Sequence, residues 1–225
     1  MSKLSIIMPV LNEGEGIAAA LDALAVLRSL GTEVMVVDGG SRDATIQRAR
    51  LRADRVIAAP RGRALQMNAG AEKASGDVLL FLHADTRLPA DADHVVLNGL
   101  ERSSRVWGRF DVEIEGRSPL LHIIAGVMNL RSRLTGIATG DQAIFVRREA
   151  FSGFPDIALM EDIAFSKAMK RSSPPACLRE RVTTSARRWE KNGVLRTVLL
   201  MWRLRLAYFL GAAPEELARR YANGR

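Results

Sequence analysis

The 225-residue sequence predicts an α/β fold with a mostly parallel central sheet flanked by helices. Short apolar segments alternate with helical patterns through the first hundred residues, a rhythm typical of parallel strands joined by right-handed crossovers. Residues 78–82 are all apolar and lie between turn-forming residues, which favours a strand buried on both faces. The chain has no internal repeat and no linker long enough to divide it.

The elements follow in chain order from local patterns. Apolar runs predict strands over residues 4–8, 33–37, 55–58 and 78–82. Helical spacing predicts helices over 17–27 and 64–74, with a polar helix of about ten residues after Ser41. Beyond residue 100, alternating apolar residues predict a strand over 106–115. Shorter patterns predict strands over 143–146 and 179–184 and helices over 120–130 and 161–170.

The C-terminal segment is predicted to be helical from residue 192, with a stop at Gly211 and a new start at Pro214. We expect a catalytic-type domain over 1–190 and an amphipathic helical extension over 191–225 packed on it. The extension carries an apolar stripe at helical spacing, with arginines off the stripe. Packing on the core or a homodimer contact is the favoured interpretation, and an anionic membrane surface is the alternative. The stripe comprises Leu195, Val198, Leu199, Trp202, Leu206, Phe209 and Leu210.

The amino-acid composition indicates the expected cellular compartment and the classes of partner that the protein is suited to bind. A net charge of +8 and a pI near 10.5 favour anionic partners. Nucleic acid is disfavoured, because no basic patch with interleaved aromatic residues precedes the tail. The single cysteine, Cys177, excludes a disulfide framework and a cysteine-built zinc site, so we expect a cytoplasmic protein. No apolar stretch is long enough for a membrane span, and the start shows no signal-peptide pattern.

Polar residues follow the predicted strands, at the sheet edge where α/β proteins bind ligands. His83 and Asp85 come directly after the fourth strand, and oxygen and nitrogen ligands there suit a divalent cation with its diphosphate. Asp38 ends the second strand, where its carboxylate is positioned to accept hydrogen bonds from a ribose or base, and Gly39 permits close backbone approach. The simpler interpretation is that Asp38 and Asp85 each only cap backbone N–H groups at the end of their strand. Ser41 is a candidate cap for the next helix.

Three further segments are candidates for binding or catalysis. Arg63, with a glycine and a second arginine, precedes a helix and is suited to phosphate, although a solvated basic turn is commoner. Glu161 and Asp162 begin a helix, where the helix dipole alone favours acidic residues. Residues 187–189 (Arg-Arg-Trp) offer guanidinium groups and an aromatic plane for a diphosphate and a sugar or base. The chain has no GxGxxG or Walker sequence, which disfavours dinucleotide and P-loop proteins.

Taken in order, these segments resemble the family 2 glycosyltransferases, which use nucleotide sugars on a GT-A fold. Residues 5–13 look like the family's first strand and nucleotide-binding loop, and residues 37–43 look like its base- and ribose-binding segment. Residues 63–76 are similar to the helix before the metal strand, and residues 83–85 occupy the place of the DxD motif. The pair at 161–162 matches the family's acidic pair, and residues 187–189 are similar to the ending of many processive members.

The resemblance implies an inverting, metal-assisted hexosyltransferase that moves a sugar from a nucleotide-diphospho-sugar to an acceptor hydroxyl. Asp162 is then the general base with Glu161 beside it, Asp85 the ligand of Mg²⁺ or Mn²⁺ with His83 as a candidate second ligand, and Gly140 and Asp141 lie on the acceptor side. In the alternative in which the tail helix rests on anionic lipid, the active site lies near a lipid-linked acceptor. The implied nucleotide-sugar contacts are Pro9, Asn12, Glu13, Asp38, Gly39, Ser41, Arg63, Asn68, Asp85, Arg187, Arg188 and Trp189.

Two departures from the family pattern bear on function. His83 stands where the family has the first aspartate of DxD, and membrane helices are absent, which disfavours a processive synthase with its own pore. Residues 82–86 and 139–142 look like a bacterial subgroup associated with radical-SAM selenodomain proteins and linked to arsenosugar biosynthesis. The alternatives are a non-catalytic nucleotide-sugar or membrane-surface binding protein with a decayed metal site, and a GT-A-like nucleotidyltransferase.

Overall fold

The computed structural model describes residues 3–223, apart from the side chains of residues 188 and 223. Its strands are β1 Leu4–Val10, β2 Glu33–Asp38, β3 Arg55–Ala58, β4 Val78–Phe81, β5 Thr86–Arg87, β6 Trp107–Glu115, β7 Phe145–Arg147 and β8 Ala176–Ser185. Its helices are α1 Ile17–Asp22, α2 Ala25–Ser29, α3 Thr45–Arg50, α4 Arg63–Lys73, α5 Ala92–Ser103, α6 Leu120–Thr135, α7 Glu161–Met169, α8 Arg187–Asn192, α9 Val194–Phe209 and α10 Pro214–Asn223. Single 3-10 turns lie at Gly140–Gln142 and Arg148–Ala150.

The described strands form one eight-stranded sheet in the order β3-β2-β1-β4-β7-β6-β8-β5. The first four strands pair in parallel, as the sequence predicts. Beyond β4 the sheet is mixed, because β7 pairs antiparallel with both β4 and β6 whereas β6 and β8 are parallel. The predicted α/β fold with flanking helices is confirmed.

The core consists of one apolar layer on each face of the sheet. Side chains alternate along β1, so Ile6 belongs to the layer beneath α1, α5 and α6, and Ile7 belongs to the layer beneath α4 and α7. Gly70 of α4 lies so close to β1 and β2 that an added Cβ would be 2.5 Å from the Ile7 Cγ2 and 2.9 Å from the Val37 Cγ2. This packing fixes the start of α4 at the carboxyl ends of β1 and β2.

Several helices differ from the sequence prediction. The single helix predicted over 17–27 is divided into α1 and α2, because the buried leucines Leu21, Leu24 and Leu27 are three residues apart and the chain tightens there, with the Leu24 N–H donating to the Leu21 carbonyl. The polar helix α3 is six residues long, shorter than predicted. Helix α5 was absent from the prediction, although Ala92, Val96 and Leu100 recur at helical spacing and are buried.

Within residues 3–223, no helix is long and apolar enough to cross a membrane.

Candidate active site

The first two loops at the carboxyl edge of the sheet are joined by hydrogen bonds. The Asn12 N–H donates to Ser41 Oγ at 2.8 Å, and Asn12 Oδ1 accepts from the Arg42 N–H at 2.9 Å. Asn12 has a φ of 54°, in the left-handed region that asparagine tolerates better than most residues. Pro9, in the register of Val37, is the half-buried residue of β1 and is followed by the buried Val10 just before this loop. The residues of these two loops that are predicted to bind the nucleotide sugar therefore form one structural unit.

Asp38 shapes the second loop from inside. Its side chain is 2% exposed, and its Oδ2 accepts from the N–H groups of Gly40 at 2.9 Å and Ser41 at 3.0 Å. Gly39 lies against Gln66, where a Cβ would be 2.9 Å from Gln66 Oε1. The Gln66 amide donates to the carbonyls of Val10 and Val37, both at 2.8 Å, and so ties the ends of β1 and β2 together. Sequence reasoning missed this buried glutamine.

Arg187 meets the first loop from the far end of the chain. Its Nη2 lies 3.4 Å from Glu13 Oε2, and the Glu13 N–H donates to Thr45 Oγ1 at 2.8 Å. The segment that carries Arg187 therefore contacts the first loop directly. Arg187 starts α8 and is largely exposed, whereas the side chain of Arg188 lies outside the described residues.

A cavity of about 110 Å³ lies beside this unit, beyond the end of β4. It gathers residues from the ends of β4, β6 and β8, from the Gly140–Gln142 turn, from the starts of α4 and α7, and from the three C-terminal helices. Its polar and aromatic lining includes Arg63, His83, Asp85, Thr139, Asp141, Glu161, Asp162, Thr184, Ser185, Trp189, Thr197, Arg205 and Tyr221. Most of the residues predicted for metal, base, acceptor and phosphate roles therefore line one cavity.

His83 is held between Asp141 and Gly140. Its Nδ1 lies 3.3 Å from Asp141 Oδ1, and a Cβ on Gly140 would be 2.5 Å from its Cε1 and Nε2. A glycine at position 140 is therefore required for the turn to approach the imidazole. The contact fixes His83 as part of the cavity wall that carries Asp141.

Asp85 lines the cavity with a lightly bonded carboxylate. Its Oδ1 accepts only a long bond, 3.4 Å, from Thr86 Oγ1, and its backbone carbonyl accepts from the Ser185 N–H at 3.0 Å. In the part of the chain that the structure describes, no group of three or more His, Cys, Asp or Glu side chains could hold a metal ion. A carboxylate with free acceptor capacity still fits Mg²⁺ or Mn²⁺, because such ions take one or two protein carboxylates and complete their shell with substrate phosphates.

Glu161 and Asp162 begin α7 but have different surroundings. Asp162 Oδ2 accepts from the Gly140 N–H at 2.9 Å, and this carboxylate is only partly buried at the cavity. Glu161 is 3% exposed, and its Oε1 lies 3.0 Å from Arg63 Nη1. Burial raises the pKa of Glu161, and the nearby Asp162 adds to this, while the Arg63 guanidinium opposes it. Glu161 therefore anchors Arg63, and Asp162 is the carboxylate open to the cavity.

The raised pKa of Glu161 predicts a pH-dependent stability difference. The folded state favours the protonated carboxyl, so this favourable contribution is present below the unfolded pKa of about 4.3 and is lost as pH rises through the folded pKa. Glu161→Gln mimics the protonated form, so its melting temperature should rise relative to wild type between about pH 4 and pH 8. Glu149→Gln, at an exposed glutamate, is the matched control. A difference that falls with pH would contradict the assignment.

The C-terminal helices close one side of the cavity. Leu204 of α9 and Leu217 of α10 are buried against Met160 and Ile163 at the start of α7. The face of α9 that turns inward carries Thr197, Met201 and Arg205, which line the cavity. Sequence reasoning did not assign a role to Arg205 or Tyr221, because both enter the site only through the packing of the tail.

The predicted apolar stripe of the tail does not pack on the core of this chain. Leu195, Leu199, Trp202, Leu206, Phe209 and Leu210 are 59–79% exposed. Periodicity showed that α9 is amphipathic, but the helix also carries Leu200, Met201 and Leu204 on its opposite side, and that side is turned inward. Packing of the stripe itself on the core is not observed, because the extension contacts the rest of the chain through its inward side. A homodimer contact and the division at residue 190 stay predictions.

Asn68 is occupied by a structural role. Its Nδ2 donates to the Phe154 carbonyl at 2.9 Å, and its Oδ1 accepts from the Phe154 N–H at 2.8 Å. Asn68 does not line the cavity described above. Its predicted contact with the nucleotide sugar therefore has no geometric support, since both polar ends of the amide hold the loop before α7.

Comparisons with known proteins agree with this arrangement. The family model for glycosyl transferase family 2 matches residues 5–159, and no curated protein matches the sequence. Glucosyl-3-phosphoglycerate synthase from Mycobacterium tuberculosis, solved with Mn²⁺, uridine diphosphate and glucosyl-3-phosphoglycerate, has a TM-score of 0.61 at 17% identity, covering 81% of this chain and 71% of that one. S. aureus TarS residues 1–349 give a TM-score of 0.65 at 19% identity, covering 87% of this chain and 64% of that one. A complex of the same TarS segment with UDP-GlcNAc gives 0.65 and 19%, covering 81% and 58%.

Proposed function

Because this chain belongs to glycosyl transferase family 2, we propose that it transfers a sugar from a nucleotide-diphospho-sugar to an acceptor hydroxyl, with inversion and with the help of a divalent cation. One observation carries the proposal: Asp85, which follows β4, and Asp162, at the start of α7, line the same cavity. A cation ligand and a proton acceptor are the two groups that such a displacement requires.

Asp162 is the proposed general base. A base must reach the proton that it removes, and Asp162 is the member of the acidic pair that is open to the cavity. Its bond from the Gly140 N–H holds one carboxylate oxygen in place. The buried Glu161, paired with Arg63, positions the guanidinium at the cavity and is not the proposed base.

Asp85 is the proposed cation ligand, with His83 beside it as a second candidate. His83 contacts Asp141 through Nδ1, which leaves Nε2 as the nitrogen for any further contact, close to Gly140. The chemistry that Mg²⁺ or Mn²⁺ supplies when bound is neutralisation of charge on the leaving diphosphate. Two of the solved structures with the same fold contain Mn²⁺ or Mg²⁺ together with uridine diphosphate, which supports the choice of ions.

The donor end of the site is proposed to lie at the two joined loops. Asn12, Glu13 and Ser41 form the rim, Asp38 and Gly39 set its shape, and Arg187 adds positive charge beside Glu13. We propose that Arg187, with Arg188, binds the diphosphate and that Trp189 at the cavity stacks on the sugar or base.

The proposal is tested by the products of a reaction with a panel of nucleotide sugars, Mn²⁺ and candidate hydroxyl acceptors. We expect one donor to release nucleoside diphosphate and to give a product of opposite anomeric configuration by NMR. Retained configuration would exclude the single displacement. Release of a sugar phosphate, with the nucleoside monophosphate transferred to the acceptor or to pyrophosphate, would instead favour a nucleotidyltransferase. Binding without turnover would favour a non-catalytic binding protein.

The finer subgroup assignment is also kept as a proposal. The two segments that carry the resemblance to the arsenosugar-linked subgroup, 82–86 and 139–142, meet at the contact between His83 and Asp141. If the assignment holds, donor consumption should increase with an arsenic-containing sugar precursor over its arsenic-free counterpart. Equal consumption would contradict it.

We further propose that the protein binds the inner, anionic face of a membrane through α6 and α9. Besides the stripe on α9, helix α6 exposes a second apolar stripe at heptad spacing, which sequence analysis did not identify: Leu120, Ile123, Val127, Leu130 and Leu134, 40–78% exposed. Neither helix contains an acidic residue, whereas Arg196 and Arg203 of α9 are exposed. Two copies would bring these positive faces together, so the charge favours anionic lipid over a homodimer. A lipid-linked acceptor would then meet the cavity at the membrane.

Sedimentation with vesicles containing phosphatidylglycerol tests this proposal. Each double variant, Trp202→Gln with Leu206→Gln on α9 and Ile123→Gln with Leu130→Gln on α6, should lower vesicle affinity at least about tenfold, because each variant removes two apolar side chains from the contact. Leu51→Gln, at a leucine that is 79% exposed beyond the end of α3, should leave binding unchanged. Unchanged vesicle binding in both double variants, or a wild-type dimer that these variants dissociate without any vesicle binding, would contradict the proposal.

A further inference from the structure

Two arginines beside the cavity have buried donor atoms that bond to nothing in the described chain. The Nε of Arg205 on α9 and the Nε and Nη2 of Arg131 on α6 are buried and have no hydrogen-bond partner among the described residues. Neither guanidinium forms an ion pair with a described carboxylate. Buried N–H groups of a cation are unfavourable unless they are paired, so an anion from outside the chain that accepts from them would stabilise both half-buried side chains.

The electrostatic surroundings of the pair are unfavourable for two positive charges. Burial is the main cause that lowers the pKa of Arg131 to about 10, and the neighbouring Arg205 and Arg109 lower it further, while Asp162 opposes them. Burial also lowers the pKa of Arg205, against Asp162 and Asp141. The carboxylate of Asp111, which is close to α6, is already occupied by Arg109 and Arg133. An added anion would therefore be attracted to the space between Arg131 and Arg205.

The position of this pair separates it from the nucleoside end of the site. Helix α6 lies on β6, because the side chain of Asn129 exchanges hydrogen bonds with the N–H and carbonyl of Val112, at 2.8 and 2.9 Å. In the sheet order, β6 lies on the opposite side of β4 from β2, which carries Asp38. Arg131 and Arg205 are thus on the side of the cavity where Asp162 faces them, away from the donor loops.

We propose that an anionic group of the acceptor, a phosphate or a carboxylate, binds between Arg131 and Arg205 and so brings the acceptor hydroxyl to Asp162. The proposal rests on the proposed function and names the class of acceptor. Arginine is suited to this task because its planar fork binds phosphate and carboxylate through paired hydrogen bonds. Arg131 and Arg205 are binding and positioning residues and take no proton in the reaction.

Inorganic phosphate is the probe for this site, with melting temperature and calorimetric titration as readouts. Phosphate should raise the melting temperature of the wild type, and the double variant Arg131→Gln with Arg205→Gln should lose that shift and bind phosphate at least about tenfold more weakly. Arg203→Gln is the matched control, since this arginine is exposed on α9, two residues from Arg205. Arg205→Lys keeps the charge and should retain part of the shift.

The melting temperature measured without phosphate gives a second readout. Without phosphate, Arg131→Met with Arg205→Met should melt at or above the wild-type temperature, because two unpaired buried charges are replaced by apolar side chains of similar length. A marked fall in melting temperature would show that the arginines hold the fold together and would overturn the inference. This measurement on the methionine variant still tests the inference if the glutamine variants fold poorly.

The donor diphosphate is the competing source of the same anion chemistry. Pyrophosphate with Mg²⁺ should bind the double glutamine variant as well as it binds the wild type, because the proposed cation ligand is Asp85. Equal loss of phosphate and pyrophosphate binding would assign the pair to the donor and overturn the acceptor inference. Wild-type phosphate binding in the double variant would overturn the site itself. Failure of the proposed function would appear separately, as the absence of any metal-dependent binding of nucleotide sugars.

Discussion

Asp162→Asn is expected to lower the rate of sugar transfer by about 10²–10⁴-fold, the usual contribution of a general base. Asp162 Oδ2 accepts from the Gly140 N–H at 2.9 Å, and its Oδ1 accepts from the Ile163 N–H at 2.7 Å. The asparagine keeps one oxygen for the bond from Gly140, which joins the two sides of the cavity wall, and gives up the local bond from Ile163, so the wall should remain in place. The affinity for the donor should therefore be close to that of the wild type. The rate is measured at saturating donor as release of nucleoside diphosphate, and the affinity by titration.

The matched control for this variant is Asp156→Asn, at an exposed aspartate six residues before Asp162. It makes the same chemical change outside the cavity and should leave both rate and affinity unchanged. A wild-type rate in Asp162→Asn would exclude the base assignment. Equal losses of donor affinity and rate would indicate that Asp162 positions the donor and does not remove the proton.

Asp85→Ala should remove the effect of Mn²⁺ or Mg²⁺ on donor binding. In the wild type we expect the cation to tighten binding of the nucleotide sugar by at least about tenfold, or about 1.4 kcal/mol. The variant should bind the donor as weakly with the cation as without it, because Asp85 is the carboxylate with free acceptor capacity at the end of β4. Calorimetric titration with and without the cation measures both values.

Asp91→Ala removes an exposed aspartate close in sequence and serves as the control. It should keep the full effect of the cation on donor affinity. An unchanged effect in Asp85→Ala would exclude Asp85 as the ligand. His83→Ala, measured in the same way, then distinguishes a second ligand from a residue that only supports Asp141.

The sequence contains most of the information needed for the first half of the sheet. β1, β2 and β4 are buried, short and separated by turn residues, so their positions follow from apolar runs alone. β3 is only partly buried, and it was predicted at the observed bounds. The mixed half of the sheet is harder to predict from the sequence. The two-residue strand β5, for example, has no sequence pattern of its own and forms only by pairing with β8.

The candidate site likewise contains residues that the sequence predicts and residues that it does not. Asp85 and Asp162 are predictable because each lies at the end of a recognisable element, where chain direction alone brings it to the sheet edge. Arg131 and Arg205 are not predictable, since an arginine in an amphipathic helix is ordinarily solvated and the burial of these two arises from tertiary packing. The structural role of Asn68 could not be predicted either, because its partner Phe154 is 86 residues away in the sequence. Its contact with the nucleotide sugar stays a prediction.

The most direct test of the account is a thermal-shift panel of nucleotide sugars with the wild-type protein, with and without Mn²⁺. We predict that one nucleotide-diphospho-sugar raises the melting temperature strongly when Mn²⁺ is present and weakly when it is absent, because binding to the folded state alone stabilises it. A panel in which no nucleotide sugar stabilises the protein, or in which Mn²⁺ makes no difference to any donor, would contradict the proposal that Asp85 and Asp162 form a metal-assisted glycosyltransferase site.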